Sequence, residues 1–233
     1  MFGSLQLTGR ARDHVIDLDA PAAVVHRDTV PALRALYAAA RAAGFEPVVA
    51  SGFRDFARQV SIWNRKWRGE LPLLDADGAP LDRHALTDGE CVDRILDWSA
   101  LPGASRHHWG SEVDLYDAAV LPAGVVPRLV PGEYAPGGPF HAFSDWLEAH
   151  AVDFGFWRPY RRDRGGVRPE PWHWSHAAVA GPALDAMTPA LIGDALRAAA
   201  IDGVEHVLPR LDALFERFVL AVDDAPVQAA HAA

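Results

Sequence analysis

Two segments that lie far apart in the chain, Ser105-Arg106-His107-His108-Trp109-Gly110-Ser111-Glu112-Val113-Asp114 and Glu170-Pro171-Trp172-His173, concentrate imidazoles and carboxylates, and neither can be a regular helix or strand throughout. Pro169 and Pro171 flank Glu170. The three-residue step from Glu170 to His173, which on a helix would put both on one face, must instead be made by a constrained turn that enters a strand. His107 and Asp114 are an odd number of residues apart, so a regular strand would point them to opposite faces. Gly110 between them supplies the turn that brings both to one centre.

The surrounding chain reads as alternating helices and short strands. Asp28 and Thr29 offer capping oxygens, Pro31 suits a first helical turn, and Leu33, Leu36, Tyr37 and Ala40 recur at helical spacing until Gly44. What precedes them looks irregular. Glu46 to Ser51 reads as a buried strand closed by Gly52, which delivers Arg54 to a loop. A helix from Asp55 carries Phe56, Val60, Trp63 and Trp67 on one face. Residues 69–89 look like an aperiodic insertion. A third helix spans Glu90 to Trp98, with Cys91 packed as a small hydrophobe. Val113 to Tyr116 is the strand that carries Asp114, Leu121 to Gly138 is a Pro- and Gly-rich excursion placed to form a rim, and Phe140 to His150 is helical. After a short strand at Trp172 to Ser175, Pro182 to Ala200 is helical, and Leu211, Leu214, Phe215 and Phe218 mark an amphipathic helix. These last helices either cap the core or form a dimer contact. The Ala-rich tail from Asp223 has no apolar period and is expected to fray.

With 22 Lys+Arg against 31 Asp+Glu, the formal charge of −9 removes the electrostatic argument for a nucleic-acid partner. The local cluster Arg158, Arg161, Arg162, Arg164 and Arg168 is read as a solvated loop. A single cysteine precludes an intramolecular disulfide. No stretch is long and apolar enough to span a bilayer, and no signal peptide is evident, so a cytoplasmic location is expected, with a periplasmic one left open.

A catalytic zinc ion takes three nitrogen or oxygen ligands and leaves a fourth position for water. His107, Asp114 and His173 supply that number. Zinc lowers the pKa of its water to about 7, and Glu170 is the carboxylate placed to take the proton and hand it to a leaving amine. Arg54, with a planar and always charged fork, is suited to stabilise an oxyanion or to grip a carbonyl or carboxylate. The helical H-E-x-x-H arrangement is absent.

Ser105-x-His107-x-x-Gly110-x-x-x-Asp114 followed by Glu170-x-Trp172-His173 resembles the S-x-H-x-x-G-x-A-x-D and E-x-W-H pair of the zinc D-alanyl-D-alanine carboxypeptidases and dipeptidases. Ser51-Gly52-Phe53-Arg54 with Gln59 is similar to their upstream S-G-Y-R and Q element. The resemblance implies an α+β fold, a small antiparallel sheet flanked by helices with one zinc ion in a cleft on the sheet. The expected organisation is a metallopeptidase domain over 1–180, a helical extension packed on the core over 181–222, and a tail over 223–233. Carried over by position, His107, Asp114 and His173 hold the zinc, Glu170 is general base and acid, Arg54 polarises the carbonyl, and Ser105, Trp172 and Gln59 contact substrate. The implied activity is hydrolysis of peptidoglycan-type peptides containing D-alanine through attack of a zinc-bound water, most simply as a D-alanyl-D-alanine carboxypeptidase. A cell-wall endopeptidase or D-Ala-D-Ala dipeptidase is the alternative of the same class, and a non-catalytic zinc-stabilised binding module the alternative of another. Two residues depart from the pattern. Phe53 lacks the tyrosine hydroxyl, and Glu112 stands where a small residue is usual. Glu112 either approaches the site and binds a cationic substrate group or faces solvent at a strand edge. His108 and His176 are read as packing residues or partners of the ligands, and Trp109 and Trp174 as core.

Overall fold

The computed structural model describes residues 2–76, 78–122 and 124–225. The expected irregular start is corrected: it holds a short helix, α1 (Ser4–Leu7), and an antiparallel hairpin of β1 (Val15–Asp19) and β2 (Ala22–His26). Only Val15 and Val25 of this hairpin are buried, so it has no apolar alternation to announce it. Helix α2 (Val30–Ala42) follows as the spacing predicts, with Leu33, Leu36, Tyr37 and Ala40 buried. Next comes β3 (Pro47–Ser51), and then α3 (Phe56–Trp67), whose first turn is capped by the Asp55 carboxylate accepting from the Arg58 amide at 2.7 Å. Within the expected insertion lies a two-residue hairpin, β4 (Leu73–Leu74) and β5 (Pro80–Leu81), too short to show a period. Helix α4 (Asp88–Leu96) starts at a Thr87/Glu90 capping box and buries Cys91, Val92, Ile95 and Leu96.

The second half runs β6 (Glu112–Asp117), α5 (Pro131–Tyr134), α6 (His141–His150), β7 (Phe156–Trp157) and β8 (His173–His176). It ends in α7 (Ala177–Asp185), α8 (Pro189–Arg197), α9 (Val204–Val207) and α10 (Leu211–Phe215), the last continuing through a wider turn over Glu216–Leu220. Pro182 lies inside α7 rather than heading a helix, because the chain turns helical directly out of β8.

The main sheet is antiparallel with strand order β3-β6-β8-β7, bearing out the small antiparallel sheet flanked by helices. β3 is thus an edge strand with a half-exposed pattern, not the buried strand expected from its composition. Strand alternation in β6 turns Val113 and Leu115 to one face, where with Trp174 of β8 they pack on Leu33, Leu36 and Tyr37 of α2 and Phe143 and Leu147 of α6. Each such side chain contributes about 1.5–3 kcal/mol on burial. The other face carries Glu112, Asp114, His173 and Ser175. Beyond it a second buried cluster joins Trp63 of α3 and Val92 and Ile95 of α4 to Leu196, Val207, Leu214 and Phe218 of the C-terminal helices. The polar side chains of that face are buried, and Asp114 and His173 among them line a cleft. Among the described residues no helix is long and apolar enough to cross a membrane.

Arg161, Arg162 and Arg164 are exposed, as a solvated loop implies, whereas Arg158 and Arg168 are largely covered, and all five are ion-paired. Arg158 and Arg161 pair with Glu148, Arg162 and Arg164 with Asp223, and Arg168 with Asp163 and Asp97. Consequently the expected tail does not fray at its first residue. Asp223 is 6% exposed, its carboxylate accepts from the amides of Arg161 and Arg162 at 3.1 and 3.0 Å, and its own amide donates to Pro159. Residues 226–233 lie outside the described residues. Burial pushes the Asp223 carboxyl up, but hydrogen bonds from Arg162 outweigh this and leave it below the usual carboxylate value. A lowered folded pKa gives stability that is complete above the unfolded value of about 3.9 and is lost as pH falls through the folded one. Asp223→Ala is expected to cost about 1–3 kcal/mol at neutral pH. In urea denaturation, the gap between variant and parent should narrow below about pH 4.

Candidate active site

The register of β6 against β8 places Asp114 directly opposite His173 and Glu112 opposite Ser175. His107 arrives from the other direction. It lies in a 3-10 turn, Arg106–Trp109, that ends at Gly110 with φ +71°, and the next residues enter β6. A side chain at Gly110 would put its Cβ 2.6 Å from the His26 amide, so both the left-handed backbone and the close approach require glycine. The turn brings His107 Nε2 to 3.4 Å from Asp114 Oδ2. Glu170 sits on the turn before β8: its carbonyl accepts from the His173 amide at 3.2 Å, and its Oε2 lies 3.6 Å from His173 Nδ1.

Each histidine has one ring nitrogen tied up by the fold. His107 Nδ1 meets the Gly52 carbonyl at 2.7 Å, an acceptor only, so Nδ1 carries the proton and Nε2 presents a lone pair towards Asp114. His173 Nε2 meets Glu112 Oε2 at 2.8 Å, which leaves Nδ1 facing Asp114 Oδ1 at 3.1 Å. His107, Asp114 and His173 each offer a ligand atom, and all three atoms lie within 4.8 Å of one another. This donor set fits a zinc ion, which takes imidazole and carboxylate ligands at four-coordinate sites. The electrostatics agree. Burial holds His107 neutral, pushing it down to about 3. Burial also opposes charge on His173, yet its hydrogen bonds to Asp114 and Glu112 outweigh that and raise it to about 10. The pocket around Nδ1 thus favours a cation.

Glu170 is affected differently. Burial raises it to about 7, with Asp114 adding to the shift and His173, Arg54 and Lys66 drawing it back. Arg54 lines the same cleft of about 250 Å³, as do Ser105 and Trp172, so these sequence-derived site residues come together. Arg54 is held by hydrogen bonds to Gln59 Oε1 at 3.0 Å and Ser51 Oγ at 3.1 Å. Gln59 does not reach the cleft. It is fully buried, with its amide nitrogen donating to the Ala100 carbonyl, so its expected contact with substrate is corrected: both its polar ends are used inside the protein, one of them to orient Arg54.

Glu112 is corrected too. It is fully buried and accepts from Ser111 Oγ at 2.9 Å and Ser175 Oγ at 2.7 Å, and pairs with Arg106 at 3.3 Å. It is therefore neither solvent-facing nor open to a substrate cation. Burial works against its charge, but Arg106, His173 and Ser175 outweigh that and lower it to about 2. Arg106 is in turn held over the rings of Trp109 and Trp157, at 4.8 and 5.4 Å from their centroids. His108 is a packing residue: its Nδ1 donates to the Arg54 carbonyl and its Nε2 accepts from the Gly103 amide. His176 meets Thr29 at 3.3 Å, and Trp109 and Trp174 are buried. Sequence reasoning missed Lys66, which also lines the cleft.

A model of the D-alanyl-D-alanine carboxypeptidase family VanY matches residues 22–179, a span that includes every one of these residues. The chain belongs to the VanY family. Its relatives include an uncharacterized Haemophilus influenzae protein, 33% identical over 122 residues, which are 52% of this chain and 93% of that protein. A D-alanyl-D-alanine carboxypeptidase of Enterococcus faecalis is 29% identical over 152 residues, 64% of this chain and 47% of its own length. Two solved structures share the VanY fold. One is a variant of the vancomycin-resistance D,D-pentapeptidase VanY in complex with Zn(II), with TM-score 0.52, 23% identity, and 83% of this chain and 88% of that chain covered. The other is VanYB in complex with D-alanine-D-alanine, with TM-score 0.52, 22% identity, and coverage of 80% and 89%. Membership makes this chain a relative of peptidases of D-alanyl-D-alanine substrates, as the motifs imply.

Glu112→Ala would leave Arg106 charged and unpaired in the interior. It is expected to destabilise the metal-free protein by about 3–5 kcal/mol in urea denaturation. Glu112→Gln, which keeps the shape, is expected to cost less.

Proposed function

We propose that the protein is a zinc-dependent D-alanyl-D-alanine carboxypeptidase acting on peptidoglycan-type peptides. The observation that carries the reading is the convergence of the Asp114–His173 pair, His107 Nε2 and the Glu170 carboxylate on one cleft. His107 through Nε2, His173 through Nδ1 and Asp114 through its carboxylate would hold the metal. When bound, zinc supplies Lewis acidity that activates water near neutral pH and polarises a carbonyl.

The chain's own residues do the rest. Glu170, raised to about 7 by burial, is poised to accept a proton from water and to release it to the leaving amine at neutral pH. Arg54, fixed by Gln59 and Ser51, offers its guanidinium to the carbonyl oxygen as charge develops there. Ser105 and Trp172 wall the cleft, with Trp172 backed by the stacked ring of Trp98. Glu112 fixes the plane and proton of the His173 ring from behind, and Ser111, Ser175 and Arg106 fix Glu112.

Glu170→Gln is expected to retain one zinc per chain and to lose hydrolysis by about 10²–10⁴-fold, as removal of a general base does. His173→Ala is expected to lose the metal by elemental analysis, whereas His108→Ala should keep it. Mass spectrometry of products from a muropeptide pentapeptide mixture, with and without chelator, tests the substrate assignment. Chelator-sensitive release of single D-alanine is expected. A released dipeptide would make the protein a dipeptidase, an internal fragment an endopeptidase, and no cleavage a binding module.

A further inference from the structure

A carboxypeptidase must recognise a free terminal carboxylate, and the cleft contains a cation that the metal centre leaves unused. Lys66 lies on α3 seven residues beyond Gln59, two turns along and on the same side of the helix, which carries it about 10 Å along the axis. It is half-buried, lines the cleft with Glu170, and donates from Nζ to Ser99 Oγ at 2.7 Å. No carboxylate among the described residues approaches it to salt-bridge distance. The other cations of the cleft wall are differently placed. Arg106 is paired with Glu112 beneath His173, Arg54 is fixed beside the metal donors, and Arg128 is on the exposed rim. Burial lowers Lys66 to about 8, and Glu170 draws it back up. A half-buried ammonium whose direct partner is a neutral hydroxyl is under-compensated, and an anion arriving in the cleft would complete it.

Glu170 is the group that serves the leaving amine, and the residue bearing that amine ends in the terminal carboxylate. Lys66 and Glu170 line the same cleft. We propose that Lys66, with Ser99 beside it, binds the C-terminal carboxylate of the substrate and so makes the enzyme select peptide ends. This rests on the peptidase reading above, and it assigns a specificity-determining role to a residue outside the metal-binding motifs.

The test uses the zinc-loaded protein and an N-acetylated tripeptide ending in D-alanyl-D-alanine, as the free acid and as the C-terminal amide. The parent is expected to prefer the acid. Lys66→Gln, which can still hydrogen-bond to Ser99, is expected to raise KM for the acid by about 10–100-fold with kcat little changed, and to leave the amide unaffected. Lys66→Arg should recover much of the loss. Equal losses on acid and amide would overturn the proposal. So would a fall in kcat with a displaced acid limb of the pH profile on both substrates, because Lys66 would then act through Glu170. Failure of the parent to cleave either peptide would count against the peptidase reading instead. In that event calorimetric binding of D-alanyl-D-alanine decides the role of Lys66: weaker binding by Lys66→Gln upholds it, and equal or absent binding by both proteins overturns it.

Discussion

The pairing of Asp114 with His173 across β6 and β8 is the constraint on which the site depends. Side chains alternate along a strand, so a one-residue slip would send either residue to the opposite face. What prevents the slip is on the other side of the sheet. Val113, Leu115 and Trp174 are locked against α2 and α6, and a one-residue change of register would take them out of that core and put carboxylates in their place. The apolar core thereby sets the spacing of the polar centre. On the edge, an irregularity in β3 between Val49 and Ser51 brings Ser51 opposite Asp114, from where its hydroxyl helps to hold Arg54.

Three buried carboxylates share this small volume, and their surroundings keep them distinct. Glu112 is compensated by Arg106, two hydroxyls and an imidazole, and is held far below the usual range. Burial raises Asp114, but the two imidazoles beside it outweigh that and leave it lowered. Glu170 has more distant cations and a carboxylate neighbour, so the cost of burying its charge is only partly met. Identical chemistry thus yields a fixed anion, a donor for a cation and a titratable group near neutrality.

The local elements most visible in the sequence were those with a strong period or cap: α2, α3 and α4 announce themselves through Leu33/Leu36/Tyr37, Trp63 and Cys91/Val92/Ile95 at helical spacing. The convergence of His107, Asp114, His173 and Glu170 was legible because the spacing of the motifs resembles a known family, with Gly110 and the prolines beside Glu170 supplying the turns it needs. What escaped was decided by tertiary contact. The β1–β2 hairpin carries no alternating face, yet it packs so closely on the site loop that Gly52 has no room for a Cβ beside the Val24 carbonyl. Gln59 and Glu112 are polar residues whose burial depends on distant segments, the Ala100 carbonyl for one and His173 and Ser175 for the other, and nothing local says whether such groups face a ligand or the interior. The ion pairs of the arginines near Asp223 were hidden for the same reason, since their counter-charges arrive from other segments.

The two histidines also differ in what can disturb them. His107 is aligned by a main-chain carbonyl, that of Gly52, which every residue type possesses. His173 is aligned by a side chain, that of Glu112. The basicity of one imidazole can therefore be tuned by exchanging a single residue, while the other can be altered only by displacing a loop that is pinned by the hairpin above it. The centre has one adjustable arm and one rigid arm.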